Sequence, residues 1–363
     1  PSRLWHGLVD HLDPPLMAIM LTIMGVGLAT VFSATYDSQN RLFSQFINMS
    51  VAMSLMWGVA QIPPQKLMRF AIPLYAGTLL LLVLVLLFGI TVNGAQRWLN
   101  VGVTRIQPSE IMKIAVPLML AWYFHHHETA LKARHYAIAT VLLLVPFLLI
   151  AKQPDLGTAL LVGAAGFYIL FFAGLSWKIM LGLAAAAVAA APLFWNLLHD
   201  YQRRRIMTLL DPTSDPLGAG YHIIQSTIAI GSGGAFGKGW LQGTQTHLEF
   251  IPEKHTDFIF AVYSEEWGLL GNGVLLCLYL LLIGRGMVIA INASTLFARL
   301  LAGSITLSLF TYVFINMGMV AGMLPVVGVP LPFISFGGTA LVTLCVGIGM
   351  LMSIQTHRML VKK

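Results

Sequence analysis

Ten apolar runs, most of roughly 18 residues or more, follow one another along this chain, and a membrane is the environment that accepts such a series. They fall at about 15–35, 43–62, 67–90, 108–126, 136–152, 154–174, 177–197, 258–287, 298–320 and 335–355. Only 10% of residues are Asp, Glu, Lys or Arg, against about a quarter in soluble domains, so there is too little charge to wet a globular surface. With 57% hydrophobic residues and a mean hydropathy of +0.80, a cytosolic enzyme, a disordered chain and a disulfide-stapled secreted domain are excluded. What remains is an all-α polytopic membrane protein, read as a single transmembrane unit over residues 1–363. Cys277 and Cys345 lie in apolar runs and form no motif. The opening Pro1 in place of Met is read as a trimmed N-terminus. The first apolar run is long enough to span, so no cleavable signal is expected.

Orientation follows from Lys and Arg in the short loops. With the N-terminus in the cytoplasm, that side collects eleven: Arg3, Lys66, Arg69, Lys132, Arg134, Lys178, Arg285, Arg299, Arg358, Lys362 and Lys363. The opposite short loops hold four, namely Arg41, Arg97, Arg105 and Lys152. Both termini are therefore expected inside. A long outer segment at about 198–257 is Gly-rich yet amphipathic, with Tyr221, His222, Ile223, Ile224 and Ile228. It is expected to pack on the bundle with re-entrant or interfacial helices. The uncharged 321–335 stretch, with Pro325, Pro330 and Pro332, is read as dipping into the outer leaflet against protein.

Ionisable groups within or at the mouth of such a bundle are costly, which makes each a functional candidate. Glu110 and Lys113 stand three apart on one helical face; the plain alternative is an ion pair that neutralises itself. Asp155 is equally a first-turn acid suited to the helix dipole. Asp257 is either an N-cap or a general base whose pKa its apolar neighbours Phe258 and Ile259 would raise. Glu265 and Glu266, two turns deeper, can satisfy buried donors on neighbouring helices. The expected topology puts Glu110, Lys113, Asp155 and Asp257 together at the outer membrane face, and that convergence favours function. Around them stand Arg97, Trp98, Arg105, Gln107, Arg203, Arg204, Arg205, Lys238 and Trp240. Arg forks suit phosphate oxygens and Trp faces suit a sugar ring, whereas snorkelling to lipid accounts for Arg41 and Lys152.

Several motifs fail on inspection. Gly231-Ser232-Gly233-Gly234-Ala235-Phe236-Gly237-Lys238-Gly239 is not a phosphate loop, because Ser232 stands at its first Gly position and Gly239 where Ser or Thr should bind magnesium. Phe236 likewise breaks the dinucleotide spacing. His125, His126 and His127 with His135 are read as a solvated patch, since adjacent side chains diverge around a helix.

Taken together, Gly94-Ala95-Gln96-Arg97-Trp98, Gln107-Pro108-Ser109-Glu110, Gln153-Pro154-Asp155-Leu156-Gly157-Thr158 and Asp215-Pro216-Leu217-Gly218-Ala219-Gly220-Tyr221-His222 resemble the SEDS family (shape, elongation, division and sporulation). So do Ile230-Gly231-Ser232-Gly233-Gly234, Glu253-Lys254-His255-Thr256-Asp257-Phe258 and Gly328-Val329-Pro330-Leu331-Pro332-Phe333. The likeness covers nearly the whole chain and is nearer the elongation branch than the division branch. Phe336 departs from it, standing where Tyr is the more usual residue.

The resemblance implies a peptidoglycan glycosyltransferase of the bacterial inner membrane. It would polymerise lipid II, a disaccharide-peptide on undecaprenyl pyrophosphate, at the periplasmic face. Asp257 matches the family's essential Asp, and Glu110, Lys113 and Asp155 match its polar cavity residues. On that reading Asp257 takes a proton from a sugar 4-hydroxyl, and the oxygen displaces undecaprenyl pyrophosphate from a second lipid-linked glycan. Arg97, Arg105, Lys113 and Arg203–Arg205 are the candidates to stabilise the leaving group, with Glu110 holding Lys113 in place. A divalent cation, Mg or Mn, could share that task, although no metal-ligand set is legible. The resemblance further implies a class B penicillin-binding protein as transpeptidase partner, sought along the eighth and ninth spans and the periplasmic loops, and other elongation-complex membrane proteins; no nucleic acid is expected. A lipid II flippase and a non-catalytic scaffold for cell-wall enzymes are the rival readings.

Overall fold

The computed structural model describes residues 11–36, 39–92, 95–100, 105–197, 200–215, 218–248, 250–251 and 253–357. Arg3, Arg358, Lys362 and Lys363, four of the cations behind the expected orientation, lie outside the described residues, as do the motif residues Gly94, Pro216 and Leu217 and the side chain of Arg105. The helices are α1 (Pro14–Ala34), α2 (Gln39–Ala60), α3 (Pro64–Arg69), α4 (Ala71–Phe88), α5 (Pro108–His126), α6 (Ala133–Lys152) and α7 (Leu156–Phe172). They continue as α8 (Trp177–Leu197), α9 (Asp200–Leu210), α10 (Ala219–Ser232), α11 (Thr244–His247), α12 (Ile259–Ile291), α13 (Leu296–Val320) and α14 (Thr339–Thr356). A helix occupies each of the ten apolar runs. Among the described residues, seven helices are long and apolar enough to cross a membrane.

Local chemistry sets the helix ends. Asp13 caps α1 by accepting from Leu16 N at 3.0 Å, and Pro14 suits the first helical position. The same carboxylate takes Arg285 Nε at 3.0 Å, tying the start of α1 to the far end of α12. Within the helices, hydroxyls bond back to the carbonyl four residues earlier, as Thr30 does to Val26 and Thr78 to Leu74. That leaves few polar groups unmet in an apolar surround. Helices α5, α7, α13 and α14 are the most deeply buried and make the centre of the bundle. Helix α8 instead exposes nearly all of Trp177–Ala189.

Two features depart from an all-helical expectation. A small antiparallel sheet, β1 (Ile90–Val92), β2 (Ala95–Asn100) and β3 (Arg105–Ile106), joins α4 to α5, with Ile90 opposite Trp98 and Leu99 opposite Ile106. Helix α12 is also broken at Gly268, whose φ is 64° and ψ −162°. The broken ladder is completed from outside. Lys238 N and Gly239 N donate to the carbonyls of Glu265 and Glu266, both at 3.0 Å, and Leu269 N and Leu270 N donate to Gly234 O (2.9 Å) and Ala235 O (3.0 Å). This is the role of the glycine-rich run that imitates a phosphate loop. A Cβ at Gly237 would stand 2.1 Å from Glu266 O, and one at Gly268 2.3 Å from Gly237 N.

Carboxylates lock the same segment down. Glu265, with no exposed surface, receives Lys238 Nζ at 2.7 Å, Gln245 N at 2.9 Å, and Thr246 N and Oγ1 at 3.2 and 3.0 Å. Glu266 accepts from Ser33 Oγ of α1 and from Leu241 N at 3.3 Å. The uncharged stretch after α13 is likewise seated against protein. Val329, Leu331, Phe333 and Ile334 are buried, and Tyr279 Oη donates to Pro332 O at 2.6 Å.

Candidate active site

A cleft of about 530 Å³ opens where the turn before α12, the 330–337 stretch, the start of α14 and the β2 strand meet. Trp98, Glu253, Thr256 and Asp257 are its chemistry-bearing walls, with Leu331, Phe333, Phe336 and Leu344 supplying apolar surface. Helix α12 is capped at Phe258 without a side-chain hydrogen bond, so Asp257 is not spent on capping. Its carboxylate lies against Gly328, whose φ of +73° turns the backbone past it. Burial, and then the charge of Glu253, push the Asp257 pKa up to about 6. A carboxylate with that pKa is ionised at neutral pH yet a much better proton acceptor than an exposed Asp.

Glu253 was not singled out from sequence. It holds a left-handed backbone, φ 49°, and takes the Thr256 hydroxyl on Oε2 at 2.8 Å. His222 stacks on Phe258 with ring centres 5.4 Å apart, and His255 meets Phe336 at 5.7 Å. Burial lowers the pKa of both imidazoles, so neither brings a positive charge to Asp257 at neutral pH.

The other expected site residues separate into distinct groups. Asp155 caps α7 through Thr158 N at 3.3 Å, receives Gln107 Nε2 at 3.0 Å and faces Arg97 Nη1 at 3.6 Å. Arg97 also donates to Pro154 O, so this group fastens the small sheet to the start of α7. Glu110 and Lys113 form their own pair at 2.7 Å. Lys113 Nζ reaches Tyr312 Oη at 2.5 Å and lies 5.1 Å from that ring's centre, while Thr343 Oγ1 approaches Glu110 at 3.4 Å. Lys113 lines a narrow apolar crevice of about 40 Å³, and Leu344 borders both this crevice and the Asp257 cleft. Lys238 is held by Glu265 and Thr244, and Arg203 Nε donates to Trp195 O at 2.9 Å on the outlying α9. Asp257 and Trp98 are thus the predicted residues that share the cleft. Glu110, Lys113 and Asp155 stand behind it on α5 and at the start of α7.

Tyr312, Asn316 and Ser335 also belong to the site's framework. Asn316 carried a signal, being a lone amide deep in an apolar run; Tyr312 and Ser335 carried none. Among the described residues no group of three or more His, Cys, Asp and Glu is disposed to hold a metal ion.

The family model of the FtsW, RodA and SpoVE cell cycle proteins matches residues 14–360. The peptidoglycan glycosyltransferase MrdB of Escherichia coli K12 is 52% identical over 355 residues, covering 97% of this chain and 96% of that one. A chain from a structure on the coordination of polymerization and crosslinking by a peptidoglycan synthase complex superposes with a TM-score of 0.83 at 34% identity, covering 96% of this chain and 98% of that chain. The rod shape determining protein RodA of Thermus thermophilus gives a TM-score of 0.72 at 30% identity, covering 96% and 97%.

Proposed function

Because the chain belongs to the FtsW, RodA and SpoVE family of cell cycle proteins, we infer that it is a multi-pass membrane enzyme, a peptidoglycan glycosyltransferase that serves cell elongation and rod shape. The observation that carries the mechanism is the Asp257 carboxylate, uncommitted to capping, at the wall of a cleft that the Trp98 indole also lines. The substrate we propose is lipid II. One lipid-linked disaccharide-peptide offers its sugar 4-hydroxyl to Asp257, which takes the proton as the O–H bond breaks. The oxygen then attacks the anomeric carbon of a second lipid-linked glycan, forming the new glycosidic bond. The carbon–oxygen bond to undecaprenyl pyrophosphate breaks, and the leaving group departs with its negative charge. Inversion at that carbon needs the base on one face and the leaving group on the other. Trp98 provides a flat surface for a sugar ring, and Glu253 keeps Asp257 basic.

Charge on the departing pyrophosphate is met by cations, of which Lys113 and the Arg97–Arg105 hairpin lie on the elements flanking the cleft. Lys113 reaches it once Leu344 gives way, since that side chain borders both cavities. Ten membrane crossings with both termini in the cytoplasm would put the cleft at the periplasmic face of the bacterial inner membrane. A class B penicillin-binding protein would sit against α12 and α13, whose outward faces carry Leu276, Leu280, Phe310 and Phe314. The deciding experiment is the purified chain in liposomes with lipid II added on one side. Glycan polymer is expected; movement of lipid II across the bilayer without polymer would make the chain a flippase, and neither outcome would leave a scaffold.

A further inference from the structure

The structure assigns Asn316 as a positioning residue for Asp257, an inference that rests on Asp257 being the general base. Asn316 lies in α13 with no exposed surface. Its Nδ2 donates twice, to Asp257 O at 2.8 Å and to Val329 O at 2.7 Å. Val329 leads into the 330–337 lining of the cleft and Asp257 lines the same cleft, so one amide ties both segments.

The segment that precedes α12 is a turn, and no helical or strand ladder sets its conformation. Thr256 N and Phe258 N close the turn on Glu253 O at 3.0 and 3.3 Å, and the carbonyls of the next residues are gripped from outside, one after another. His255 O accepts from Phe336 N at 2.8 Å, Thr256 O from Ser335 Oγ at 2.7 Å, and Asp257 O from Asn316 Nδ2. Ser335 Oγ in turn accepts from Leu331 N at 2.8 Å, which closes the loop on itself. Asn316 holds the peptide immediately after Asp257 and so restrains the backbone that carries the carboxylate. Its Oδ1 meets no partner among the described residues. An apolar side chain of similar volume would not carry that unpaired acceptor, so the amide's contribution here lies in its two donors.

The test uses the full chain in liposomes with lipid II, comparing Asn316→Leu, Ser335→Ala and Asp257→Asn with the parent. Asn316→Leu is expected to lower kcat about tenfold or more, because small misplacements of a reacting group are costly, with KM within about twofold. The acid limb of its pH–rate profile should move, which a merely structural role would not bring about. Ser335→Ala should do the same to a smaller degree; should Asn316→Leu fail to fold, Asn316→Ala replaces it in the comparison. An unchanged kcat, or a loss that tracks the folded fraction with the acid limb in place, overturns the inference. Asp257→Asn separates the two claims. Were it as active as the parent, the general-base reading itself would fall; were it inactive beside a fully active Asn316→Leu, only the positioning role would.

Discussion

Neutralising one partner of the Glu110–Lys113 pair should damage the protein more than neutralising both. Lys113 keeps 6% of its side chain exposed and Glu110 12%, with Nζ and Oε1 2.7 Å apart. Glu110→Gln leaves an ammonium in the bundle with neutral acceptors, the Gln carbonyl oxygen and Tyr312 Oη, and Lys113→Met leaves a carboxylate whose remaining contact among the described residues is the long one to Thr343. Stranding one member of a buried pair costs about 3–5 kcal/mol, whereas replacing both members with neutral residues of similar size is often near neutral. The double variant also loses the charge-assisted Lys113–Tyr312 hydrogen bond, worth about 1.5–3 kcal/mol. It should therefore lie within about 3 kcal/mol of the parent, well short of the roughly 6–10 kcal/mol sum of the single losses. Denaturant unfolding in mixed micelles measures the stabilities, and lipid II polymerisation on the same samples measures function. Two stable single variants, or a double variant that loses the sum, would refute the electrostatic reasoning. A double variant that is folded but inactive is the expected outcome, because Lys113's charge is then missing from the reaction. Full activity would make the pair purely structural.

The second-order rate kcat/KM should fall on the acid side through about pH 6 as Asp257 takes up its proton, and a pH profile of kcat/KM reads this directly. Glu253→Gln should move that limb to lower pH, yet burial, the larger cause, should keep it above the ordinary Asp value of 3.8. Gly237→Ala and Gly268→Ala should each prevent a folded, monodisperse protein in size-exclusion chromatography, because a Cβ at either position meets backbone atoms at 2.1 and 2.3 Å. Trp98→Ala should raise KM for lipid II by about tenfold, with kcat less affected, if the indole binds a sugar ring in ground and transition states alike.

The helices were legible because hydropathy over about 20 residues reports a bilayer directly, and the predicted 108–126 coincides with Pro108–His126. The break in α12 was not. Gly268 is one of many glycines, and its meaning depends on Gly237 approaching from thirty-one positions earlier in the chain. The small sheet was missed because its strands are as short as the two residues Arg105–Ile106. At the site, Asp257 stood out as a carboxylate beside an apolar run, and Trp98 as an indole beside a cation. The separation of Asp155 and the Glu110–Lys113 pair from Asp257 was illegible, since topology places residues at a depth and not around the bundle axis. Glu253 looked like one more solvated acid, and its left-handed backbone is a property of the folded turn.

The most direct test of the account compares Asp257→Asn with the parent in liposomes supplied with lipid II, measuring bound substrate and glycan chains on the same preparation. Asn keeps the shape of the side chain and removes the proton acceptor. Retained lipid II binding is expected, with chain synthesis reduced by about 10²–10⁴-fold, the usual weight of a general base. Glycan chains made at the parent's rate would contradict it.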